Sequence, residues 1–125
     1  MADSSKKPTI LVAEDNESNY LLLSFLLRSD YELLWAHDGV EALELYKSNH
    51  VDLILMDVRM PRMGGLATTE QIRLTDKEIP IIALTAFAFD SDRMQTLEAG
   101  CTDFLAKPIN AEQLKAKLRK YIFGE

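Results

Sequence analysis

The chain has 125 residues, one cysteine and a net charge of −6 at neutral pH, and 47% of its residues are hydrophobic. This length predicts a single domain that can bury a core without disulfides or a structural metal. The acidic balance argues against a nucleic-acid surface, because the phosphate backbone requires positive charge. A lone cysteine excludes an internal disulfide, and no apolar run is long enough to cross a membrane, so we expect a cytoplasmic protein.

Short apolar blocks recur along the chain at strand-like lengths. In chain order they are ILVA at 10–13, LLWA at 33–36, DLILM at 52–56, IPIIAL at 79–84 and DFLA at 103–106. Several are nearly continuous in Ile, Leu and Val, a pattern typical of parallel strands covered on both faces. A polar stretch over 1–8 precedes the first block, and we interpret it as a flexible tail before a domain over 9–123.

Helices are predicted between these strands. They cover 17–29, a segment starting at Asp38, 65–75, about 90–99 and a segment starting at Asn110. Asp38 and Asn110 are residues that commonly cap a helix N-terminus. The run YLLLSFLL at 20–27 is interpreted as a buried helix, and Met94 and Leu97 are expected to face inward from the fourth helix.

Five successive strand–helix units predict an α/β fold. Right-handed crossovers place helices on both faces of a parallel sheet, which gives a doubly wound three-layer sandwich. For five strands we expect the flavodoxin-like order 2-1-3-4-5. In such folds ligands bind beyond the carboxyl ends of the strands, near the point where the strand order reverses.

Polar residues stand at the carboxyl ends of four predicted strands. Glu14 and Asp15 follow the first strand, Asp57 ends the third, Thr85 ends the fourth and Lys107 follows the fifth. Three carboxylates about 4 Å apart repel by about 3–12 kcal/mol in total, which is comparable with the whole stability of a domain. Lys107 offsets part of this repulsion, and the rest implies a bound cation or a raised carboxylate pKa. An all-oxygen site suits Mg²⁺, and Mn²⁺ is the other metal that fits.

Several phosphate-binding motifs are absent from the sequence. Neither a P-loop nor a G-x-G-x-x-G turn follows the first strand, so no nucleotide is expected there. This leaves a carboxylate that itself accepts a phosphoryl group. A metal-dependent phosphatase on the same fold is the alternative, although the AEDN stretch at 13–16 lacks the D-x-D motif that a haloacid-dehalogenase-type enzyme needs.

The strand-end residues resemble those of a response-regulator receiver domain of two-component signalling. The stretches ILVAEDN, LILMDVRMPRMGG, IPIIALTA and AGCTDFLAKPI all match, and the resemblance covers about 9–123. The continuation EDNESN is more similar to receivers of hybrid sensor histidine kinases. The resemblance fits either a free-standing regulator or the receiver of a longer hybrid kinase or regulator.

The resemblance implies a phosphorylation site with a metal ion. Asp57 would be the phosphoacceptor. Asp15 would bind Mg²⁺ directly and Glu14 through water, and the backbone carbonyl of Arg59 would add a ligand. The phosphodonor would be a phosphohistidine on a sensor histidine kinase or a histidine phosphotransfer domain. His37 and His50 are interpreted as surface residues instead of relay groups.

The resemblance also implies a conformational switch. Lys107 would pair with a phosphoryl oxygen, and Thr85 would hydrogen-bond the phosphoryl group and move toward it. Phe104 matches the aromatic switch position, and Pro108 would follow a cis peptide bond. Such a domain catalyses its own phosphorylation and slow dephosphorylation but does not turn over external substrates. A receiver that has lost phosphorylation and serves only as a docking module is a minor alternative.

Two features depart from or vary within the family pattern. Gly64 stands where the family often has an aspartate, which removes an acid from the start of the third helix. Arg59 and Phe87 lie two residues past Asp57 and Thr85, at positions that, by the resemblance, would tune hydrolysis of the aspartyl phosphate. We expect the bulky pair to shield that bond from water.

Overall fold

Strands and helices alternate along the chain in a computed structural model that describes the backbone of residues 6–86 and 90–125 and the side chains of residues 6–86 and 93–125. The strands are β1 (Thr9–Ala13), β2 (Glu32–Ala36), β3 (Leu53–Asp57), β4 (Ile81–Thr85) and β5 (Asp103–Ala106). The helices are α1 (Glu17–Leu27), α2 (Gly39–Ser48), α3 (Gly65–Arg73), α4 (Asp90–Glu98) and α5 (Ala111–Phe123). Every predicted element is present.

All strand pairs in the sheet are parallel, and the strand order is β2-β1-β3-β4-β5. This order confirms the predicted doubly wound topology. It reverses between β1 and β3, so the helices that follow these two strands leave toward opposite faces. The loops after β1 and β3 therefore open a crevice at one rim of the sheet.

Two apolar layers cover the central strands, because alternate residues of each strand point to opposite faces. On one face Ile10 and Val12 pack with Leu23 of α1 and Leu114 of α5. On the other face residues such as Ile54 pack against α2 and α3. Since β1, β3 and β4 are buried on both sides, their continuous apolar composition follows directly from their position.

Helix α4 differs from its prediction. Met94 and Leu97 are 59% and 50% exposed, so the expectation that they face inward is wrong. Thr96 and Ala99 are buried instead, at 2% and 7%. Ala99 directly follows the end of α4 and continues the face of Thr96, so small side chains pack toward the sheet there. Met94 lies about 200° around the helix from Thr96.

Helix α1 is also less buried than predicted. Of the run YLLLSFLL, only Leu23 and Leu27 are buried. Leu21, Leu22 and Phe25 are each at least half exposed. A helix on the outer layer of a sandwich buries a single stripe, so a helix whose run over 20–27 is apolar at all but one position must leave some of these side chains in solvent.

Both predicted N-caps are confirmed. Asp38 Oδ1 accepts the N–H of Glu41 at 2.9 Å, and Asn110 Oδ1 accepts the N–H of Gln113 at 3.0 Å. The other carboxylate oxygen of Asp38 accepts a hydrogen bond from Arg62 Nε at 2.6 Å. Through this bond Arg62 lowers the pKa of Asp38 below its ordinary value of 3.8.

Replacing the cap by Asp38→Ala is expected to lower the free energy of unfolding by about 1–2 kcal/mol at neutral pH. The pKa of Asp38 is depressed in the folded state, so its charge stabilises the protein above pH 3.8 and this stabilisation is lost as the pH falls through the folded pKa. Urea unfolding at a series of pH values should therefore show the deficit narrowing below pH 3.8. The exposed Asp30→Ala variant serves as control, and a deficit independent of pH would contradict this assignment.

Some expectations lie outside this description. Phe87, proposed to shield the aspartyl phosphate, is outside the described residues. The division into a tail over 1–8 and a domain over 9–123 stays a prediction, although the sheet begins at Thr9 and the last helix ends at Phe123. Among the helices described, none has the length and apolar character needed to span a bilayer.

Candidate functional site

Three carboxylates lie together at the rim where the strand order reverses. One carboxylate oxygen from each of Glu14, Asp15 and Asp57 lies within 4.8 Å of the others. Glu14 and Asp57 are almost wholly buried, at 1% and 5% exposed, while Asp15 faces solvent. The predicted acids are thus brought together, with two inside the protein and one at its surface.

Lys107 lies between the two buried acids. Its Nζ is 3.2 Å from Glu14 Oε1 and 3.2 Å from Asp57 Oδ2. The backbone N–H of Lys107 donates to the carbonyl of Thr85 at 2.7 Å, which aligns the end of β5 with the end of β4. The peptide bond between Lys107 and Pro108 is cis.

The charges in this cluster shift the pKa values of Lys107 and Glu14. Burial alone would disfavour the charged ammonium of Lys107, but the carboxylates of Asp57 and Glu14 outweigh it and raise the pKa of Lys107. Burial is the main reason that the pKa of Glu14 is raised, and the neighbouring Asp57 raises it further against the effect of Lys107. One lysine therefore does not balance the three carboxylates, and a further cation would be favoured here.

The donor chemistry fits a hard divalent cation. All three side chains offer carboxylate oxygens, the ligands that Mg²⁺ and Mn²⁺ prefer, and neither histidine nor cysteine belongs to the cluster. Arg59, whose carbonyl is the predicted fourth ligand, follows Asp57 closely, and its N–H donates to Asp57 Oδ1 at 3.3 Å. The residues present therefore suit the metal that the sequence predicts.

The loop after β3 is tightly closed over Asp57. The N–H of Gly65 donates to the carbonyl of Val58 at 2.9 Å, and a Cβ on Gly65 would come within 2.1 Å of the Asp57 carbonyl oxygen. Any residue with a Cβ would therefore clash with the Asp57 backbone at position 65. The sequence did not predict this role for Gly65. Gly64 provides no side-chain cap for α3, as expected from the missing acid.

The two predicted switch residues lie on neighbouring strands. Thr85 is buried at the end of β4. Phe104 in β5 is half-buried and packs against the core on the α2–α3 face. The guanidinium of Arg93, on α4, lies 5.0 Å from the centre of the Phe104 ring, a distance that permits a cation–π contact.

Both histidines lie on the surface. The side chain of His37 is 53% exposed and its Nδ1 lies 2.7 Å from Glu41, while that of His50 is 76% exposed and its Nε2 lies 2.8 Å from Asp52. Neither belongs to the acidic cluster, so the prediction that they are surface residues is confirmed.

Trp35 also contacts the site, although it is not among the residues predicted to form it. Its indole Nε1–H donates to the backbone carbonyl of Glu14 at 2.8 Å. Trp35 is the only tryptophan in the sequence, and it lies near the end of the strand that pairs with β1. These two features could have identified it as a candidate site residue.

Comparison with protein families places most of the chain in one of them. The family described as "Response regulator receiver domain" matches residues 10–119. Among curated proteins, the polar-differentiation response regulator DivK of Brucella ovis is 35% identical over 117 residues, which covers 91% of this chain and 95% of DivK.

Solved structures agree in fold. The receiver domain of the sensor histidine kinase PA1611 from Pseudomonas aeruginosa, which has a magnesium ion coordinated in its active-site cleft, is 38% identical with a TM-score of 0.87. That comparison covers 94% of this chain and 98% of the other. The receiver domain of Ssk1 from Saccharomyces cerevisiae, solved with the histidine phosphotransfer protein Ypd1, is 30% identical with a TM-score of 0.89, covering 94% of this chain and 90% of that one.

Proposed function

The chain belongs to the response regulator receiver domain family of two-component signalling, and from this premise we propose that it is a phosphoryl-accepting switch with Asp57 as acceptor. One observation carries the proposal. The buried Asp57 carboxylate lies 3.2 Å from a lysine ammonium and shares a rim with two further carboxylates. This is the arrangement that in-line phosphoryl transfer needs, because such transfer depends on positioning and charge neutralisation.

Each residue of the cluster has a part in the proposed reaction. Asp15, Asp57 and the carbonyl of Arg59 would hold Mg²⁺ directly and Glu14 through water; when bound, the ion would neutralise the phosphoryl oxygens. An Asp57 oxygen attacks phosphorus, the phosphorus–nitrogen bond of the donor phosphohistidine breaks, and the departing imidazole takes a proton from solvent. Lys107 offsets the negative charge carried by the phosphoryl group.

We propose that Thr85 and Phe104 convert this charge into a change of shape. Inverting a population from 1:99 to 99:1 requires about 5.5 kcal/mol. New hydrogen bonds from Thr85 and Lys107 to a charged phosphoryl group would contribute about 1.5–3 kcal/mol each. The two together come close to what the switch requires, and the α4–β5 face is the part proposed to reorganise for an output partner.

The buried thiol of Cys101 accords with a reducing compartment, so the cytoplasm remains the proposed location.

Incubation with acetyl phosphate tests the proposal without a kinase. In the presence of Mg²⁺ we expect one base-labile phosphoryl group per chain, located on Asp57 by borohydride reduction and peptide mass spectrometry. Chelation of the metal should prevent the labelling. Hydrolysis of small phosphate esters without a stable adduct would instead support the metal-dependent phosphatase.

The exposed side of α1 offers a place for the phosphodonor protein. Leu22 and Phe25 are 50% and 68% exposed. Leu22 also lines a cavity together with Lys107, Pro108 and Ile109, so this apolar surface is continuous with the phosphorylation site. Contiguous exposed apolar surface next to a reactive group is a common feature of protein contact sites. We therefore propose that a histidine phosphotransfer domain or kinase contacts α1.

Phe25→Asp is expected to block transfer from a phosphorylated histidine phosphotransfer domain that labels the wild-type chain, while labelling by acetyl phosphate is unchanged. The partner protein would cover α1 and bury the new charge, whereas acetyl phosphate reaches Asp57 without covering α1. Leu74→Asp is the matched control, because Leu74 is 73% exposed at the end of α3 on the opposite face. Equal transfer to both variants would exclude α1 as the contact.

A further inference from the structure

Trp35 connects the strand β2 to both ends of the turn that carries the metal-binding acids. Its Nε1–H donates to the carbonyl of Glu14 at 2.8 Å, at the beginning of this turn. Its ring stacks on Tyr20 of α1, with centroids 4.2 Å apart and planes inclined by 2°. The N–H of Tyr20 in turn donates to the carbonyl of Asn16 at 3.0 Å. The segment from 14 to 20 is therefore held at its two ends by one side chain.

The two acids of this turn are restrained very differently. The Glu14 carboxylate accepts hydrogen bonds from Lys107 Nζ and from the N–H of Asn16, both at 3.2 Å. The Asp15 carboxylate is exposed and has no hydrogen bond or ion pair with any residue that the structure describes. Among these residues, no polar contact of its own holds the Asp15 side chain, so the position of its Cα–Cβ bond is set by the backbone.

The backbone that determines this direction is the peptide unit between Glu14 and Asp15. Its carbonyl oxygen is the atom that Trp35 binds. The preceding peptide is fixed as well, because the N–H of Glu14 donates to the carbonyl of Ala36 at 2.9 Å. Both bonds come from β2, and the stacked Tyr20 ring keeps the indole plane, and so its N–H, in one orientation.

We infer that Trp35 is a positioning residue for the metal site, whose indole N–H orients the Glu14–Asp15 peptide so that Asp15 reaches a divalent cation. The inference rests on the proposed function, since it concerns affinity for the metal ion. Removing a group that hydrogen-bonds and orients a metal ligand commonly weakens metal affinity by about 10–100-fold. Because the bond is to a ligand's backbone, the lower end of that range, about tenfold, is expected here.

The test removes the N–H and keeps the ring. Trp35→Phe retains an aromatic side chain against Tyr20 without the donor. Trp35 is the only tryptophan, so a tryptophan auxotroph can also replace it throughout by benzothienylalanine, which has sulfur in place of the N–H. Mg²⁺ affinity is measured by calorimetry on the full chain, and thermal stability is measured with a chelator present. Tyr121→Phe is the control, because it loses a 2.8 Å hydrogen bond to Asp103 at the amino end of β5, opposite the site.

We expect both Trp35 replacements to bind Mg²⁺ about tenfold more weakly, with Tyr121→Phe equal to wild type even if its stability falls. Wild-type affinity in the benzothienylalanine protein would overturn the inference, whatever Trp35→Phe does, since only the donor is missing there. A wild-type chain that binds no Mg²⁺ would overturn the proposed function itself, and this outcome is distinct from the first.

Discussion

Asp57→Asn is expected to abolish phosphorylation by acetyl phosphate, with a loss of at least about a thousandfold, because an amide offers no anionic oxygen to attack phosphorus. The substitution should not unfold the protein. It removes one of two buried carboxylates that face a single lysine, so Glu14 and Lys107 remain as a balanced pair. Thermal unfolding with a chelator present should therefore show a stability no lower than that of the wild type.

Asp52→Asn is the matched control for this experiment. Asp52 lies just before the amino end of the same strand, where it accepts the N–H of Thr9 at 2.8 Å. Labelling of this variant should equal that of the wild type. If Asp57→Asn were labelled to the same extent as Asp52→Asn, a different residue would be the acceptor and the proposed chemistry would be wrong.

Lys107→Met is expected to produce the largest loss of stability of the variants considered. Without the ammonium, the buried carboxylates of Glu14 and Asp57 lose the cation that lies 3.2 Å from each. Removing one member of a buried ion pair usually costs about 3–5 kcal/mol, and about 3 kcal/mol is expected here because the lysine is partly exposed. Saturating Mg²⁺ should restore much of the loss, since an ion that binds only the folded state stabilises it.

Lys117→Met provides the comparison. Lys117 forms a 2.8 Å ion pair with Asp103, and the two side chains are 31% and 17% exposed. Its loss should cost less than about 1 kcal/mol and should not respond to Mg²⁺. Urea unfolding of both variants, with Mg²⁺ and with a chelator, measures the difference. If both variants lost the same free energy of unfolding, and Mg²⁺ restored neither, Lys107 would not offset the charge of the acids.

The helix surfaces show where sequence patterns were insufficient. The pattern predicted Met94 and Leu97 inside because they are apolar, yet Thr96 occupies the buried face of α4. Thr96 can be buried there because its hydroxyl donates to the carbonyl of Arg93 at 2.7 Å. Similarly, the run over 20–27 in α1 could not show which of its residues face the sheet, because nearly all of them are apolar enough to be buried.

The architecture and the set of residues that meet at the candidate site were determined by the sequence itself. Continuous Ile, Leu and Val blocks specify strands buried on both faces, and alternating helices leave one common topology for five such units. Parallel strands end at the same rim, so the residues after each block had to meet there. The sequence alone therefore predicts that Asp57 and Lys107 lie close together.

Only the tertiary structure decided how that rim is held. The hydrogen bond from Trp35 to the Glu14 carbonyl joins residues that are far apart in sequence. The loop after β3 brings Gly65 close to the Asp57 carbonyl. Local composition carries no record of such contacts, because they depend on the exact separation of backbone segments after folding. The amino-acid order thus determines which chemical groups meet, and three-dimensional packing determines the distances and directions at which they do so.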